Sequence, residues 1–147
     1  MKSKKTVIII AVTVAVLICA IGIMALIGRN GAGSSVNAAT QYIEASMRYD
    51  ARGMASVASE EVRQILYNTG EIPTKQQLID ALNKSYNGVP TGYEGKNITF
   101  TVVDSYENGD VGYVKLNVYV DGQKSFTRSC ATLKVGGRWY YNGEPEA

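Results

Sequence analysis

The 147-residue chain contains no histidine and only two cysteines, Cys19 and Cys130. The absence of histidine removes the commonest general base and the commonest side-chain ligand of metals. Cys130 is the only cysteine beyond the N-terminal region, so the domain that follows this region cannot contain an internal disulfide. We expect Cys130 to be a small buried apolar residue rather than a reactive thiol, and the domain to be stabilised by packing.

Charged residues are absent from the run between Val7 and Ile27. A helix of this length, at about 1.5 Å per residue, spans the roughly 30 Å hydrocarbon core of a bilayer. Three lysines precede the run and one arginine follows it, which predicts a cytoplasmic N-terminus and an extracellular C-terminal domain. The sequence therefore predicts a single-pass cell-membrane protein, with residues 1–6 as a cytoplasmic tail and 7–27 as a transmembrane helix in contact with the lipid bilayer.

A cleaved signal peptide is the alternative interpretation of this run. Such a signal has an apolar stretch of about 7–15 residues that ends at a small-x-small cleavage site. The run here is longer, and Ala25 with Ile23 two positions before it matches such a site poorly. A lipoprotein signal requires a small residue before its cysteine, whereas Ile18 precedes Cys19. These observations favour a retained helix and leave cleavage as the second interpretation.

Small residues recur at four-residue spacing along the predicted transmembrane helix. Such residues let two membrane helices approach closely, although they are also common in helices that do not pair. The residues that define the predicted anchor and its small-residue stripe are Val7, Ala11, Ala15, Cys19, Gly22 and Ile27.

Residues 28–36 are rich in glycine and serine and predict a flexible linker. About 110 residues follow, which is enough for one domain with its own core and too few for two. We therefore predict one extracytoplasmic domain over residues 37–143 and a tail over 144–147.

The charge balance of this domain differs from that of the whole chain. Four of the 15 basic residues flank the apolar run, which leaves 11 basic and 13 acidic residues, a net charge of −2. The domain therefore lacks the basic surface that nucleic acid requires, and we expect no nucleic-acid partner.

Helical periodicity dominates the first half of the domain. Asn37, Ser59 and Thr74 each precede an apolar stripe with three-to-four-residue spacing, which predicts capped helices from these positions. The predicted apolar faces contain Ile43 and Met47 in the first helix, Val62, Ile65 and Leu66 in the second, and Leu78, Ile79 and Leu82 in the third.

Alternating apolar and polar residues replace the helical period after residue 97. Three turn signals at hairpin spacing predict a four-stranded antiparallel meander. The predicted strands cover residues 97–106, 111–120, 124–135 and 138–142.

The register of this meander follows from burial. A three-residue loop, Glu107–Gly109, pairs Phe100 with Leu116 and puts the apolar residues of both strands on one face. Phe126 and Leu133 have opposite parity, which predicts a bulge in the third strand. We place this bulge near Ser129 or Cys130, and we expect a single face to carry Leu133, Val135, Trp139 and Tyr141.

Helices followed by a curved antiparallel sheet make an α+β domain with the helices packed on one face. The pattern resembles the nuclear transport factor 2-like superfamily, the cone-shaped cystatin- and SnoaL-like domains, and among them small bacterial domains that follow a membrane helix or lipoprotein signal. The resemblance covers about residues 37–143 and is carried by Tyr42, Ala45, Asp50, Met54, the hairpin 113–122 and the segment 133–141. It implies a cone-like domain of about three helices on a curved four-stranded sheet, with Asp50 as a helix cap.

Relatives of this fold include isomerases and dehydratases with an aspartate, histidine or tyrosine inside the cone. In such sites a buried aspartic acid and a tyrosine can polarise a carbonyl. Asp104 has the same parity as Phe100 and is the matching candidate here. It also lies near a turn, where aspartates are usually solvated, and no acid–base pair accompanies it. We therefore predict no catalytic residue, no cofactor and no metal site.

Ten tyrosines are many for a chain of this length. Tyrosine suits interfaces because its ring is apolar and its hydroxyl forms hydrogen bonds, although aromatic residues also simply favour strands. We predict a ligand or partner surface on the outer face of the sheet, formed by Tyr106, Tyr113, Tyr119 and Tyr140. Asp104, whose parity points it into the cavity, is a further candidate for ligand contact.

Two functions fit these observations. The first is a membrane-anchored, non-catalytic binding or assembly domain that binds a protein or a second copy of itself. By analogy of fold, such a domain would serve a cell-envelope, conjugation or secretion machine. The second is a small-molecule-binding protein or enzyme that uses the cone cavity, which requires that Phe100, Leu116 and Trp139 do not fill the cone.

Overall fold

The computed structural model describes residues 30–146 in full and the backbone of residues 8–9 and 15–17. Within these residues four helices precede a four-stranded antiparallel meander, and two short strands extend the sheet. The helices are α1 (Ser35–Met47), α2 (Ala51–Val57), α3 (Glu60–Tyr67) and α4 (Lys75–Tyr86). The strands are β1 (Ile8–Ile9), β2 (Ala15–Leu17), β3 (Ile98–Asn108), β4 (Val111–Val120), β5 (Gln123–Val135) and β6 (Arg138–Tyr141).

Each helix begins at a side-chain cap. Ser34, Asp50, Ser59 and Thr74 each accept a hydrogen bond from the backbone N–H three residues later, which satisfies a donor that the helix leaves unpaired. The predicted caps at Asp50, Ser59 and Thr74 are confirmed. The first helix is capped by Ser34 rather than Asn37, so α1 begins inside the segment predicted as a linker.

The main core lies between the helices and the inner face of the sheet. The inner face contributes Ile98, Phe100, Val114, Leu116, Val118 and Cys130, and the helices contribute Ile43, Met54, Leu78, Ile79 and Leu82. The apolar face predicted for the second helix, which is α3 in the structure, is correct for Val62 and wrong for Ile65, which is 68% exposed. Leu66, the third predicted member, is partly buried and packs against the core.

A carboxylate of α1 lies at the edge of this core. Glu44 is buried and accepts a hydrogen bond from Arg48 Nε at 3.1 Å. Burial raises the pKa of Glu44 above its ordinary 4.5 despite the opposing effect of Arg48. The folded protein therefore holds this proton more tightly than the unfolded chain does.

Raising the pH should consequently destabilise the fold through Glu44. The free energy of unfolding should fall as the pH rises above the ordinary pKa of a glutamate, because the unfolded chain releases this proton at a lower pH than the folded protein does. Glu44→Gln removes this component, so the stability of the variant relative to the parent should increase as the pH rises above the ordinary pKa of glutamate. Urea titrations at several pH values measure the difference. Parallel curves for the two proteins would contradict the expectation.

The β3–β4 hairpin has a shorter loop than the sequence predicts. Asn108 pairs with Val111, and the first loop residue, Gly109, has a φ of 64°. With this loop alone, Phe100 would point to the outer face. A bulge at Val103, between Val102 and Asp104, restores the parity, so Phe100 lies opposite Val118 rather than Leu116 and stays in the core.

The third strand of the meander, β5, contains the predicted bulge at a different residue. The register shifts between the pairs Val118–Phe126 and Tyr119–Lys124, so the extra residue is Ser125 rather than Ser129 or Cys130. The following loop has only two residues and pairs Leu133 with Tyr140. Leu133 and Val135 therefore lie on the outer face, whereas Trp139 and Tyr141 are buried on the inner side.

The prediction of a transmembrane helix over residues 7–27 is wrong at residues 8–9 and 15–17, the positions of this run that the structure describes, because they form strands. β1 pairs antiparallel with Tyr106 and Glu107, and β2 pairs antiparallel with residues 100–102, both along the edge of β3. No helix among the described residues is long and apolar enough to cross a bilayer. The predicted fold class, an α+β domain that follows a transmembrane helix, is therefore corrected in its transmembrane part. The predicted cell-membrane localisation with an extracellular domain, which depended on that helix, is corrected as well.

The composition of this apolar run explains the error. Valine and isoleucine dominate it, and these β-branched residues favour strands as well as fitting apolar helices. Periodicity alone does not distinguish a short apolar strand from a helix, and the edge of β3 offers unpaired backbone groups to a strand. Of the predicted anchor residues, Ala15 begins β2 and pairs with Val102. The others, Val7, Ala11, Cys19, Gly22 and Ile27, lie outside the described residues.

Two segments cover the opposite edge of the sheet, along β6. Ala32 pairs with Trp139 through two backbone hydrogen bonds of 2.8 and 2.9 Å. Ser59 N–H donates to the carbonyl of Tyr141 at 2.9 Å, and Gly31 N–H donates to the carbonyl of Ser56 at 2.8 Å. These bonds fix the segment before α1 and bring the α2–α3 junction to the same edge.

Candidate functional site

The outer face of the sheet has an apolar end and a polar end. Residues directly paired in an antiparallel sheet share a face, and the pairing therefore shows which side chains form each row. The rows at the apolar end are Tyr106–Tyr113–Ala131 and Val111–Leu133–Tyr140, and those at the polar end include Asp104–Lys115–Ser129 and Thr101–Asn117–Thr127. We define the tyrosine surface as Tyr106, Val111, Tyr113, Ala131 and Leu133.

Two stacked rings form the centre of the tyrosine surface. The ring centroids of Tyr106 and Tyr113 are 5.4 Å apart, and the rings are inclined by 18°. Tyr113 Oη lies 3.3 Å from Ser129 Oγ at the border with the polar end. Val111 is 51% exposed beside the pair. The surface therefore presents aromatic and aliphatic area with hydroxyl groups at its border.

The four predicted surface tyrosines do not form one cluster. Tyr119 shares the outer face, but it lies six residues from Tyr113 along β4, a distance of about 20 Å, with Lys115 and Asn117 between them. Tyr140 lies at the apolar end, opposite Leu133. A Cβ atom added to Gly31 would lie 2.9 Å from the Tyr140 ring, so the segment before α1 packs closely on this tyrosine.

Asp104 does not lie in the cone. It is exposed on the outer face, opposite Lys115, because the bulge at Val103 reverses the parity of the strand. The carboxylate therefore belongs to the polar end of the outer face.

Large side chains fill the inner side of the sheet. Phe100 and Leu116 are fully buried in the main core, and Trp139 is buried with Ala32 and Ala38 in a second cluster. This packing occupies the space that the cone-cavity function requires.

The titratable groups of this interior are held in their neutral forms. Tyr42 stacks on Tyr141 with centroids 3.9 Å apart, and burial raises the pKa of both hydroxyls. Burial also raises the pKa of the Cys130 thiol to about 12. The buried thiol is therefore protonated at neutral pH and is a poor nucleophile.

A cavity of about 420 Å³ lies at the β6 edge, which we call the β6-edge pocket. Its walls come from α2, the start of α3, and the outer face of β5 and β6. The apolar lining contains Ala55, Ala58, Leu133 and Val135, and the polar lining includes Asn30, Ser59, Arg63, Tyr140 and Asn142. No local pattern in the sequence indicates this pocket, because its walls come from three separate parts of the chain.

Polar contacts organise the pocket wall. Ser59 Oγ donates to Asn142 Oδ1 at 2.6 Å and also accepts the N–H of Val62 at the start of α3. Lys75 Nζ donates to Asn30 Oδ1 at 3.0 Å. Desolvation lowers the pKa of Lys75, and the nearby positive charges of Arg52 and Arg63 add to the effect.

Arg63 is the most unusual polar group of the pocket. Its Nη2 atom lies 3.8 Å from Glu60 Oε2, a loose ion pair with a mostly exposed carboxylate. Its Nε atom is buried and has no hydrogen-bond partner among the described residues. A buried donor in this state is rare in folded proteins.

Metal chemistry has no evident location in the described part of the chain. No group of three or more histidine, cysteine, aspartate or glutamate side chains there could hold a metal ion.

Comparison with protein-family models, with curated proteins and with solved structures finds no match for this chain. Functional inference therefore depends on the tyrosine surface and the β6-edge pocket themselves.

Proposed function

We propose that this protein is a non-catalytic binding domain that binds a protein partner through the tyrosine surface. The observation that supports the proposal is the stacked Tyr106–Tyr113 pair on the outer face of the sheet, beside the half-exposed Val111. Tyrosine contributes a large, rigid contact area at a low entropic cost and is enriched among the residues that dominate binding energy.

The composition of the surface indicates the chemistry of the partner. None of its five residues is charged, and its hydrogen-bonding groups are hydroxyls at the border. A partner should therefore offer an apolar patch with hydrogen-bond acceptors around it. Asp104 and Lys115 at the adjacent polar end carry opposite charges, which would orient a partner more than they would strengthen its binding.

The narrower prediction of a subunit in an envelope, conjugation or secretion machine stays a prediction that depends on the resemblance alone. The cone-cavity alternative has less support, because Phe100 and Leu116 occupy the inner side of the sheet. The half-buried aromatic pair on the outer face of the sheet favours the first of the two functions.

Replacing Tyr113 should weaken binding of the partner. We expect Tyr113→Ala to raise the dissociation constant about 30-fold, because central interface tyrosines typically contribute about 2 kcal/mol. A photocrosslinking phenylalanine analogue at position 113, in the full chain in its native cells, would first capture the partner. Calorimetry with the captured protein would then measure the affinity of parent and variant.

Tyr119→Ala is the matched control for this experiment. Tyr119 lies on the same strand and the same face, outside the tyrosine surface. We expect less than a twofold change in affinity for this variant. Equal crosslinking from positions 113 and 119, unchanged affinity of Tyr113→Ala, or capture of this chain alone would each contradict the proposal.

A further inference from the structure

We propose that the β6-edge pocket binds a small carboxylate-bearing molecule with an apolar body. The proposal does not depend on the tyrosine surface, because the pocket uses residues of α2, α3 and the β6 edge. Its volume of about 420 Å³ falls within the usual range of small-ligand pockets, roughly 300–1,000 Å³.

The charged half of the proposed site is centred on Arg63. A guanidinium group offers a planar pair of N–H donors that matches the two oxygens of a carboxylate. In Arg63 the Nε donor is buried without a partner among the described residues, and Nη2 has only the loose contact with Glu60. Arg63 lines the pocket and its side chain is 21% exposed, so a carboxylate in the pocket would bind the accessible part of the guanidinium while Nε stays enclosed.

Neighbouring charges favour a monoanion. Desolvation lowers the pKa of Lys75, and the positive charges of Arg52 and Arg63 add to this effect. One negative charge beside Arg63 would reduce its repulsion of Lys75. Glu60 and Glu61 also line the pocket, and they repel a dianion such as phosphate more strongly than a monoanion.

The apolar part of the lining comes from two segments of the chain. Ala55 and Ala58 come from the α2–α3 segment, while Leu133 and Val135 come from the outer face of β5. Val135 is 55% exposed, so a ligand that covers it would remove apolar area from water. A short acyl chain attached to a carboxylate combines both requirements.

Titration of the ¹⁵N-labelled full chain with octanoate tests this proposal. We expect saturable chemical-shift changes at residues 55–63 and 133–142. Octanamide, which has the same chain without the charge, should bind at least about tenfold more weakly, as expected for the loss of a charge-assisted hydrogen bond. Inorganic phosphate should not compete with octanoate.

Variants identify the residues responsible. Arg63→Gln should weaken octanoate binding at least about tenfold. Lys84→Gln, which removes the positive charge of an exposed residue of α4 outside the pocket, should leave the affinity unchanged. Val135→Asp places a negative charge in the pocket at an exposed position and should abolish binding even if Arg63→Gln proves too unstable to study.

Several outcomes would overturn the proposal. These are equal affinities for octanoate and octanamide, competition by phosphate, an Arg63→Gln or Val135→Asp variant that binds like the parent, and shifts without saturation. Octanoate binding should survive Tyr113→Ala, and partner binding should survive Arg63→Gln. Failure of this proposal is therefore distinguishable from failure of the proposed protein-binding function.

Discussion

Leu116→Ala should lower the free energy of unfolding by about 2–5 kcal/mol. Leu116 is 0% exposed at the centre of the inner face, between Val102 of β3 and Arg128 of β5 in the sheet. Truncation removes buried apolar surface and leaves a cavity that the surrounding sheet cannot fully close. Domains of this size are stable by only about 5–15 kcal/mol, so the variant should lose a large share of its stability.

The matched control for this variant is Ile65→Ala. Ile65 is also a large aliphatic residue, but it is 68% exposed on α3, so we expect a change within about 0.5 kcal/mol. Urea titrations followed by the fluorescence of the buried Trp139 and by circular dichroism would report both midpoints. If Ile65→Ala were as costly as Leu116→Ala, α3 would pack its whole apolar stripe, in contradiction to the structure.

Gly112→Ala should destabilise the protein by about 2–4 kcal/mol. Gly112 lies on β4 opposite Thr132, directly under the start of α1. A Cβ atom there would collide with Thr132 Oγ1 and lie 2.7 Å from Ser35 Oγ. These two hydroxyls form a buried hydrogen bond of 2.6 Å. The added methyl group therefore has to separate α1 from the sheet and break this bond.

Gly33→Ala provides the comparison for Gly112→Ala. A Cβ atom at Gly33 meets no other atom within 4 Å, so we expect a change within about 0.5 kcal/mol. Thermal and urea unfolding of both variants measure the contrast. Addition of Ser35→Ala to Gly112→Ala should recover part of the loss, because it removes one of the colliding hydroxyls. Equal stability of the two single variants would contradict the predicted collision.

Local signals in the sequence were sufficient for the elements of the α+β domain. The caps at Asp50, Ser59 and Thr74 are confirmed because each acts on backbone groups only three residues away. The limits of β4 are the predicted residues 111–120, because glycine-containing turns bound this strand on both sides. Alternation of apolar residues likewise identified Phe100, Leu116 and Val118 as core residues.

Local patterns failed where several arrangements satisfy the same pattern. Two arrangements of the β3–β4 hairpin bury Phe100: a three-residue loop, and a two-residue loop combined with a bulge at Val103. Only the second arrangement, which the structure adopts, turns Asp104 to the outer face. The valine- and isoleucine-rich run near the N-terminus suits either a membrane helix or strands. The edge of β3, where β1 and β2 pair, is a property of the folded sheet that the run itself does not encode.

The sequence by itself determined the helix starts at Asp50, Ser59 and Thr74, the four-stranded meander and the core residues Phe100, Leu116 and Val118, since each depends on periodicity or on contacts within a few residues. Only the tertiary structure decided which side chains share a surface. It joined Tyr106 to Tyr113, separated Tyr119 from them, and built a pocket around Arg63 from residue 30 and the separate segments 55–63 and 133–142. The reason is physical: the strand pairings, bulges and helix packing that set these positions are chosen by burial across the whole domain.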